Sequence, residues 1–325
     1  MSMIISFIIP LYNCEQYVDN CIKSILSTGL DRKSFEIIIV NDGSTDGGPI
    51  IVQQYVEQYH NIYLITQDNQ GLSGARNTGI SHAKGDYLWF IDADDEINEH
   101  AVDAISIINE IDDLDFLGIQ MLKVDANKNF ISSHCVQELI KKNIIITGRD
   151  AILQGYNPSS ACALIMRRKF IEDDNLKFKI GITHEDVEFT YRAMCKAQRV
   201  MFSDIVPYIY YRRGDTMSTP HDKERLLKYV IDDVAVADSF RSLSREFLES
   251  DPELFREIFL RSQSVVVGLT SQLYKNRNTW GKLGINAEVL QELKNKNFYP
   301  LKPPFYSWKQ RLMSYWLNIE RNINI

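Results

Sequence analysis

Along the first 125 positions, apolar residues follow two alternating rhythms. Short unbroken runs rich in β-branched side chains read as strands: ISFIIPLYN, FEIIIVNDGS, NIYLIT, DYLWFID and DFLGIQMLKV. Runs apolar on both faces belong to parallel sheet covered by helices on each side. Between them, residues 14–28 set Val18, Ile22, Ile25 and Leu26 at helical spacing, and IIVQQYVEQY, LSGARNTGISHA and residues 98–111 continue the helical pattern. The alternation predicts an α/β fold, a doubly wound sheet. After Asp125 the pattern loosens into shorter strands and loops, with a helix near 148–154. THEDVEFTYRAMCKA then reads as a helix with acids at its entrance, and VMFSDIVPYIYYRR as a strand pair or one bent strand.

From about residue 222 the chain turns helical. Leu226, Val230, Val234, Ala237, Phe240 and Phe247 recur at three-, four- and seven-residue intervals. SDPELFREIF restarts a helix, with Asp251 as N-cap and Pro252 at the first helical position. The expected division is therefore a catalytic domain over 1–220 and a helical region over 221–325, with the boundary near 215–225. The tail carries Tyr306, Trp308, Tyr315 and Trp316 among Lys309 and Arg311. It is a candidate interfacial helix, peripheral on a membrane, and equally a candidate for docking on the catalytic domain.

Composition narrows the function classes. A length of 325 residues with 45% hydrophobic residues supports a large core plus an addition. The net charge of −7 argues against general nucleic-acid binding. Five cysteines, an odd number without a CxxC pair, read as reduced thiols of a cytosolic protein. The apolar start lacks a basic leader and is broken by Pro10, so it reads as a strand and not a signal peptide. No run approaches the ~18 apolar residues of a spanning helix.

The candidate chemistry sits where strands end. In open parallel sheets, ligands bind outside the carboxyl ends of the strands. There EIIIV runs into Asp42, and YLWFI runs into Asp92, Asp94 and Asp95. Three carboxylates within four positions repel one another unless a positive charge or water compensates. Paired hard-oxygen ligands suit Mg²⁺ or Mn²⁺ shared with phosphates. GxxxxGK[ST] is absent, and so is GxGxxG after the first strand, which leaves a pyrophosphate held by metal and not by glycines.

Taken together, IPLYN (9–13), VNDGSTD (40–46), QGLSGARNTGI (70–80), GDYLWFIDADD (85–95) and HEDVEF (184–189) resemble, in order and spacing, the GT-A fold glycosyltransferases of family 2. The resemblance spans roughly residues 4–215. The helical third shares only a general likeness to bacterial cell-surface polysaccharide enzymes. The resemblance implies that Asp42 accepts a hydrogen bond from uracil and that the backbone around Pro10, Tyr12 and Asn13 forms the uridine pocket. It implies Asp92 near the ribose and the metal shell, Asp94 as direct metal ligand, and Arg76 lining the nucleotide side of the cleft. Asp186 matches the catalytic base, with Glu185 beside it. The implied cofactor is Mn²⁺ or Mg²⁺. The implied reaction is inverting transfer from a UDP-sugar to a glycan or lipid-linked acceptor, on the cytoplasmic side of the cell membrane.

One departure stands out: relatives carry a metal-binding His after the YYR strand, where this chain reads YYRRGDTMST. Asp215 or water is the substitute, and Arg212 and Arg213 are candidates for the pyrophosphate. Two rival functions remain at this stage. A sugar-phosphate nucleotidyltransferase needs a Gly-rich basic loop where PLYNCEQ stands. A non-catalytic nucleotide-sugar-binding subunit is opposed by the intact DAD and HED groups. His184 lacks the HExxH setting of a metallopeptidase.

Overall fold

The computed structural model describes residues 4–134, 140–157, 160–213 and 222–319. It divides into two compact units. One comprises Met1–Gly181 and Glu185–Arg213, the other Ile182–His184 and Gly214–Ile325.

In the first unit the chain runs β1 (Ile5–Leu11), α1 (Val18–Leu26), β2 (Phe35–Asn41), α2 (Gly48–Gln58), β3 (Ile62–Thr66), α3 (Gly71–His82), β4 (Tyr87–Phe90), β5 (Glu96–Ile97) and α4 (Ala101–Glu110). It continues β6 (Phe116–Gly118), β7 (Met121–Asp125), β8 (Phe130–His134), β9 (Ile145–Ile146), α5 (Gly148–Leu153), β10 (Leu164–Arg167), α6 (Arg168–Asp173), α7 (Glu185–Lys196), β11 (Val200–Phe202) and β12 (Tyr208–Arg212). Eight strands form one sheet in the order β3-β2-β1-β4-β10-β6-β11-β9. Its first four strands are parallel, and β10 lies antiparallel between β4 and β6. The sheet is therefore mixed. All seven residues of β1 and of β2 are buried, as their two-faced apolar runs require. Trp89 of β4 is wholly buried and its Nε1 donates to the Cys162 carbonyl at 2.9 Å.

Helix α3 lies close against β1. A Cβ placed on Gly79 would stand 2.3 Å from Ile8 Cγ2, so hydrogen is the only side chain that fits. Ser73, Gly74 and Ala75 complete the small, buried face of this helix. That close seating draws Arg76 out of solvent, to 2% exposure.

One expected element comes out differently. The apolar run 115–124 is not one strand. Its first part, β6, joins the main sheet. Its second, β7, joins a four-stranded sheet ordered β5-β12-β7-β8. The crossing occurs at Ile119 and Gln120, whose amides donate to the Ala163 and Ile205 carbonyls instead of to a strand partner. The run at 200–213 is the strand pair of the two readings given for it, β11 pairing in the main sheet and β12 in the smaller one. Continuous apolarity does not mark such a crossing, because both halves are buried.

The second unit contains α8 (Lys223–Arg245), α9 (Pro252–Lys275), α10 (Arg277–Trp280), α11 (Ile285–Asn295) and α12 (Trp308–Leu317). Val230, Val234 and Ala237 of α8 share a core with Val266, Leu269, Leu273, Val289 and Leu293. Phe247 falls beyond the end of α8 and is only half-buried. Asp251 caps α9, its carboxylate accepting from Leu254 N at 3.0 Å, with Pro252 opening the helix. Tail and core are joined through Leu317, which is buried, and through Tyr299 Oη, which donates to the Leu317 carbonyl. The opposite face of α12 is bare: Trp308 is 68% exposed and Tyr315 63%.

Candidate active site

The parallel trio β2-β1-β4 ends on one edge, with Leu11 opposite Asn41 and Ile8 opposite Phe90. The chain then leaves each strand into a candidate loop. Pro10 is buried within β1, while Tyr12 just beyond it is 51% exposed. Asn13 takes a left-handed backbone with φ of 51°, a conformation that asparagine tolerates. Its Oδ1 accepts from Thr45 N at 2.8 Å, and its own N donates to Ser44 Oγ at 3.2 Å. The two loops after β1 and β2 are thus laced together. Glu15 N donates to Asp46, and Gly47 N to Glu15. A cleft of ≈ 470 Å³ opens there, lined by Asn13, Glu15, Gln16, Tyr17, Thr45 and Asp46.

Asp42 is buried at the end of β2. Its Oδ1 accepts from Gln67 Nε2 at 2.7 Å and from Gln70 N at 2.9 Å. Both bonds fall on one oxygen. Gln67 is in turn tied to Thr78 of α3 at 2.5 Å.

The three carboxylates after β4 have three separate fates. Asp95 turns inward and is 2% exposed, accepting from Tyr208 Oη at 2.8 Å and Tyr211 N at 2.9 Å. Burial and the charges of Asp92 and Asp94 raise its pKa well above the ordinary carboxylate value. It fastens the loop to β12. Asp92 accepts from Arg76 Nη2 at 3.0 Å, and its backbone N donates to Tyr208 Oη at 3.2 Å. Asp94 accepts from Arg213 Nη1 at 2.9 Å. Burial and then the Asp92 charge raise the pKa of Asp94, against the pull of Arg213.

Arg76 ties two of the candidate acids together. Beyond Asp92, its Nη1 donates to Glu185 Oε1 at 2.7 Å, and the guanidinium lies 5.3 Å from the centre of the Phe178 ring. It is not a surface residue, and it is shared by two acids. Burial works against its charge, but Asp92 and Glu185 outweigh that and raise its pKa. Glu185 is itself buried, and desolvation lifts it to about 7 while Arg76 pulls it down and Asp186 pushes it up. Asp186, next in the first turn of α7, is half-buried, and one of its oxygens accepts from Val187 N at 2.8 Å.

Just before these acids, Thr183 N donates to Asp232 at 2.8 Å, and His184 Nε2 lies 3.1 Å from the Tyr229 carbonyl. These bonds fall within the helical unit and bind His184 to α8.

The structure thus brings Asp92 and Glu185 onto one guanidinium and sets Arg213 on Asp94. Pro10, Tyr12, Asn13 and Asp42 sit at the ends of the neighbouring strands, without a direct bond to that cluster. Gln67, Gln70, Tyr17 and Tyr208 were not legible as participants, since each is an ordinary polar or aromatic residue until its partner is known. Asp215, His221 and Cys135 lie outside the described residues. A second cleft, ≈ 300 Å³, is lined by Ile4, Tyr87 and Arg167 at the amino edge of the sheet, away from all of these.

The sequence profile of glycosyl transferase family 2 matches residues 6–174, which include the loops after β1, β2 and β4; Glu185, Asp186 and Arg213 lie beyond the matched span. The chain belongs to this family. It is 29% identical over 262 residues to the uncharacterized glycosyltransferase YibD of Escherichia coli (strain K12), covering 78% of this chain and 76% of that protein. It is also 29% identical over 228 residues to the poly(ribitol-phosphate) beta-glucosyltransferase of Bacillus spizizenii, covering 67% of this chain but 34% of that longer one. The fold is similar to that of S. aureus TarS 1-349, solved with UDP-GlcNAc, with a TM-score of 0.68 at 22% identity over 97% of this chain and 89% of that one. The family-2 chain is accordingly a GT-A glycosyltransferase. Among its described residues, no helix is long and apolar enough to cross a membrane.

Proposed function

We propose that this family-2 enzyme transfers a sugar from a UDP-sugar, with inversion, to a hydroxyl of a glycan or lipid-linked acceptor in cell-surface polysaccharide synthesis. One observation carries the reading: Arg76 holds the strand-end acid Asp92 and the helix-entrance acid Glu185 together, 3.0 Å and 2.7 Å from its two terminal nitrogens. The carboxylates proposed for the donor side and the acceptor side are thereby bonded to one guanidinium. A uridine donor is supported by Asp42, whose two internal bonds both fall on Oδ1 and leave Oδ2 for the N3–H of uracil. The relatives' names supply the setting: TarS binds UDP-GlcNAc, and another relative glucosylates poly(ribitol-phosphate).

Asp186 is the proposed base. It takes the proton of the acceptor hydroxyl, and the oxygen attacks the anomeric carbon as its bond to the diphosphate breaks. Helix N-terminal amides favour its charged form. Glu185, buried on Arg76, is the positioning partner and not the base. A divalent cation fits Asp92 and Asp94 by donor chemistry. Both are hard oxygen ligands, and Asp94 is a carboxylate whose charge burial disfavours. Among the described residues, no third acid, His or Cys completes a cluster; Asp215, outside them, or water is the proposed further ligand, with phosphate oxygens of the donor. When bound, the ion supplies Lewis-acid stabilisation to the departing diphosphate.

We further propose that the bare face of α12 rests on an anionic membrane surface. Residues 293–319 carry five basic and no acidic residues in a chain of net charge −7, and the exposed Trp308, Leu312, Tyr315 and Trp316 accompany Lys309 and Arg311.

Calorimetry of UDP with the full chain tests the core of the reading. Binding is expected to be at least about tenfold tighter with Mn²⁺ than with EDTA, and Asp94→Asn is expected to remove most of that difference, since an amide is a poorer ligand for a hard cation. Equal affinities in both conditions overturn the metal reading.

A further inference from the structure

The crowded acids after β4 each have their own compensation inside the chain. Asp95 is satisfied by Tyr208 and the Tyr211 amide, Asp92 by Arg76, and Asp94 by Arg213. These three compensations differ in how readily they can be withdrawn. Arg76 is 2% exposed and fixed at its other end by Glu185. Arg213 is more accessible, at 16%, and forms an ion pair with Asp94, which is itself 33% exposed. Its guanidinium lies 4.0 Å from the Tyr17 ring centre and 4.8 Å from that of Tyr211. Tyr17 also lines the cleft at the ends of β1 and β2. A cation that takes Asp94 Oδ2 therefore meets a donor already there, and a nearby positive charge that repels it.

We propose that Arg213 is a built-in counter-ion of Asp94, which a divalent cation displaces, and that the released guanidinium then clasps the diphosphate of the donor. The inference rests on the reading of Asp94 as a cation ligand and adds an order to it. Arg213 competes with the metal in the free protein and assists the nucleotide in the complex. The ring of Tyr17 holds the guanidinium beside the cleft during that transfer, since planar stacking survives a change of hydrogen-bond partner.

The two roles have opposite signs in binding, which makes them separable without any turnover measurement. Free Mn²⁺ is followed by electron paramagnetic resonance as the full-length chain is titrated in the absence of nucleotide. Arg213→Gln is expected to bind Mn²⁺ alone about three- to tenfold more tightly than the native chain, because a charge-assisted competitor is gone. The same variant is expected to bind UDP, at saturating Mn²⁺, about tenfold more weakly. Tyr17→Leu, which removes only the stacking, shifts the Mn²⁺ affinity in the same direction by less. Lys128→Gln removes a neighbouring charge that is 67% exposed and lies 5.7 Å from the Tyr211 ring centre, and it is expected to stay within about twofold, as screened charges do. Arg213→Gln and Tyr17→Leu binding Mn²⁺ no more tightly than the native chain overturns the proposal. So does equal tightening by Lys128→Gln, which assigns the effect to net charge. A native chain that binds UDP equally with Mn²⁺ and EDTA is a different failure, removing the metal reading itself.

Discussion

Arg76 reaches Glu185 across 109 residues of sequence, and Asp92 N reaches Tyr208 across 116. Pairings of this kind are what the linear pattern does not carry. The acids could be picked out because Asp and Glu at strand and helix ends are chemically conspicuous. Which of them pair, and which turn inward as Asp95 does, depends on partners a hundred positions away. The division of labour between Glu185 and Asp186 yields two outcomes. Asp186→Asn is expected to keep UDP and Mn²⁺ binding while transfer falls by at least about two orders of magnitude, the usual range for a removed general base; a near-native rate in a radiolabel transfer assay moves the base elsewhere. Glu185→Gln is expected to act more on stability. Burial lifts Glu185 to about 7 from the ordinary 4.5, so between those values the folded chain keeps a proton that the unfolded chain has released. The contribution of this group to unfolding free energy therefore falls as pH rises through that window. Urea denaturation of the native chain and Glu185→Gln at pH 5 and pH 8 is expected to show a flatter pH dependence in the variant, and parallel profiles contradict the assignment.

Among the elements, β1 to β4 and the helices between them were legible because two-faced β-branched runs and helical periodicity are local signals. The crossing at Ile119–Gln120 was not, because nothing local there distinguishes one buried strand from two in different sheets, whereas the run at 200–213 could be read as a strand pair but not assigned to two sheets. Helix boundaries also shifted: the run 14–28 holds a helix only over Val18–Leu26, the residues before it serving as the loop that meets Asp46 and Ser44. Glycine separates packing from propensity at this scale. Gly79 in α3 has no room for a methyl group beside Ile8, whereas Gly268, exposed in α9, has nothing within 4 Å of its Cβ position. Gly79→Ala is expected to destabilise by about 1–3 kcal/mol through overpacking. Gly268→Ala is expected to stabilise by about 0.5–1 kcal/mol through helix propensity. Chemical denaturation reads both, and a double variant with Ile8→Ala should recover part of the Gly79→Ala loss if that contact is its cause.

In the whole molecule, the change to helical character near residue 222 was visible as a change of period, and the tail was ambiguous between packing and exposure. It does both, since Leu317 is core while Trp308, Leu312 and Tyr315 face outward. Deleting the tail would therefore confuse folding with docking, and point changes on the bare face avoid that. The triple variant Trp308→Ser, Leu312→Ser, Tyr315→Ser is expected to remain folded and to lose at least about tenfold in partitioning onto anionic vesicles, measured by sedimentation. Unchanged partitioning removes the membrane reading. The placement of the tryptophans has a practical consequence as well. Trp89 lies in the sheet-bearing unit, and Trp280, Trp308 and Trp316 in the helical one. Trp89 is sealed from water against the Cys162 carbonyl, whereas Trp308 and Trp316 are open to it. Their emission is therefore already separated in wavelength, the first towards the blue and the others towards the red. Converting the three helical-unit indoles to phenylalanine leaves a single fluorophore that reports melting of the main sheet. Converting Trp89 alone leaves the three indoles of the helical unit, which report its helices and test the proposed contact with a lipid surface, so the protein serves as its own two-colour probe without any attached dye.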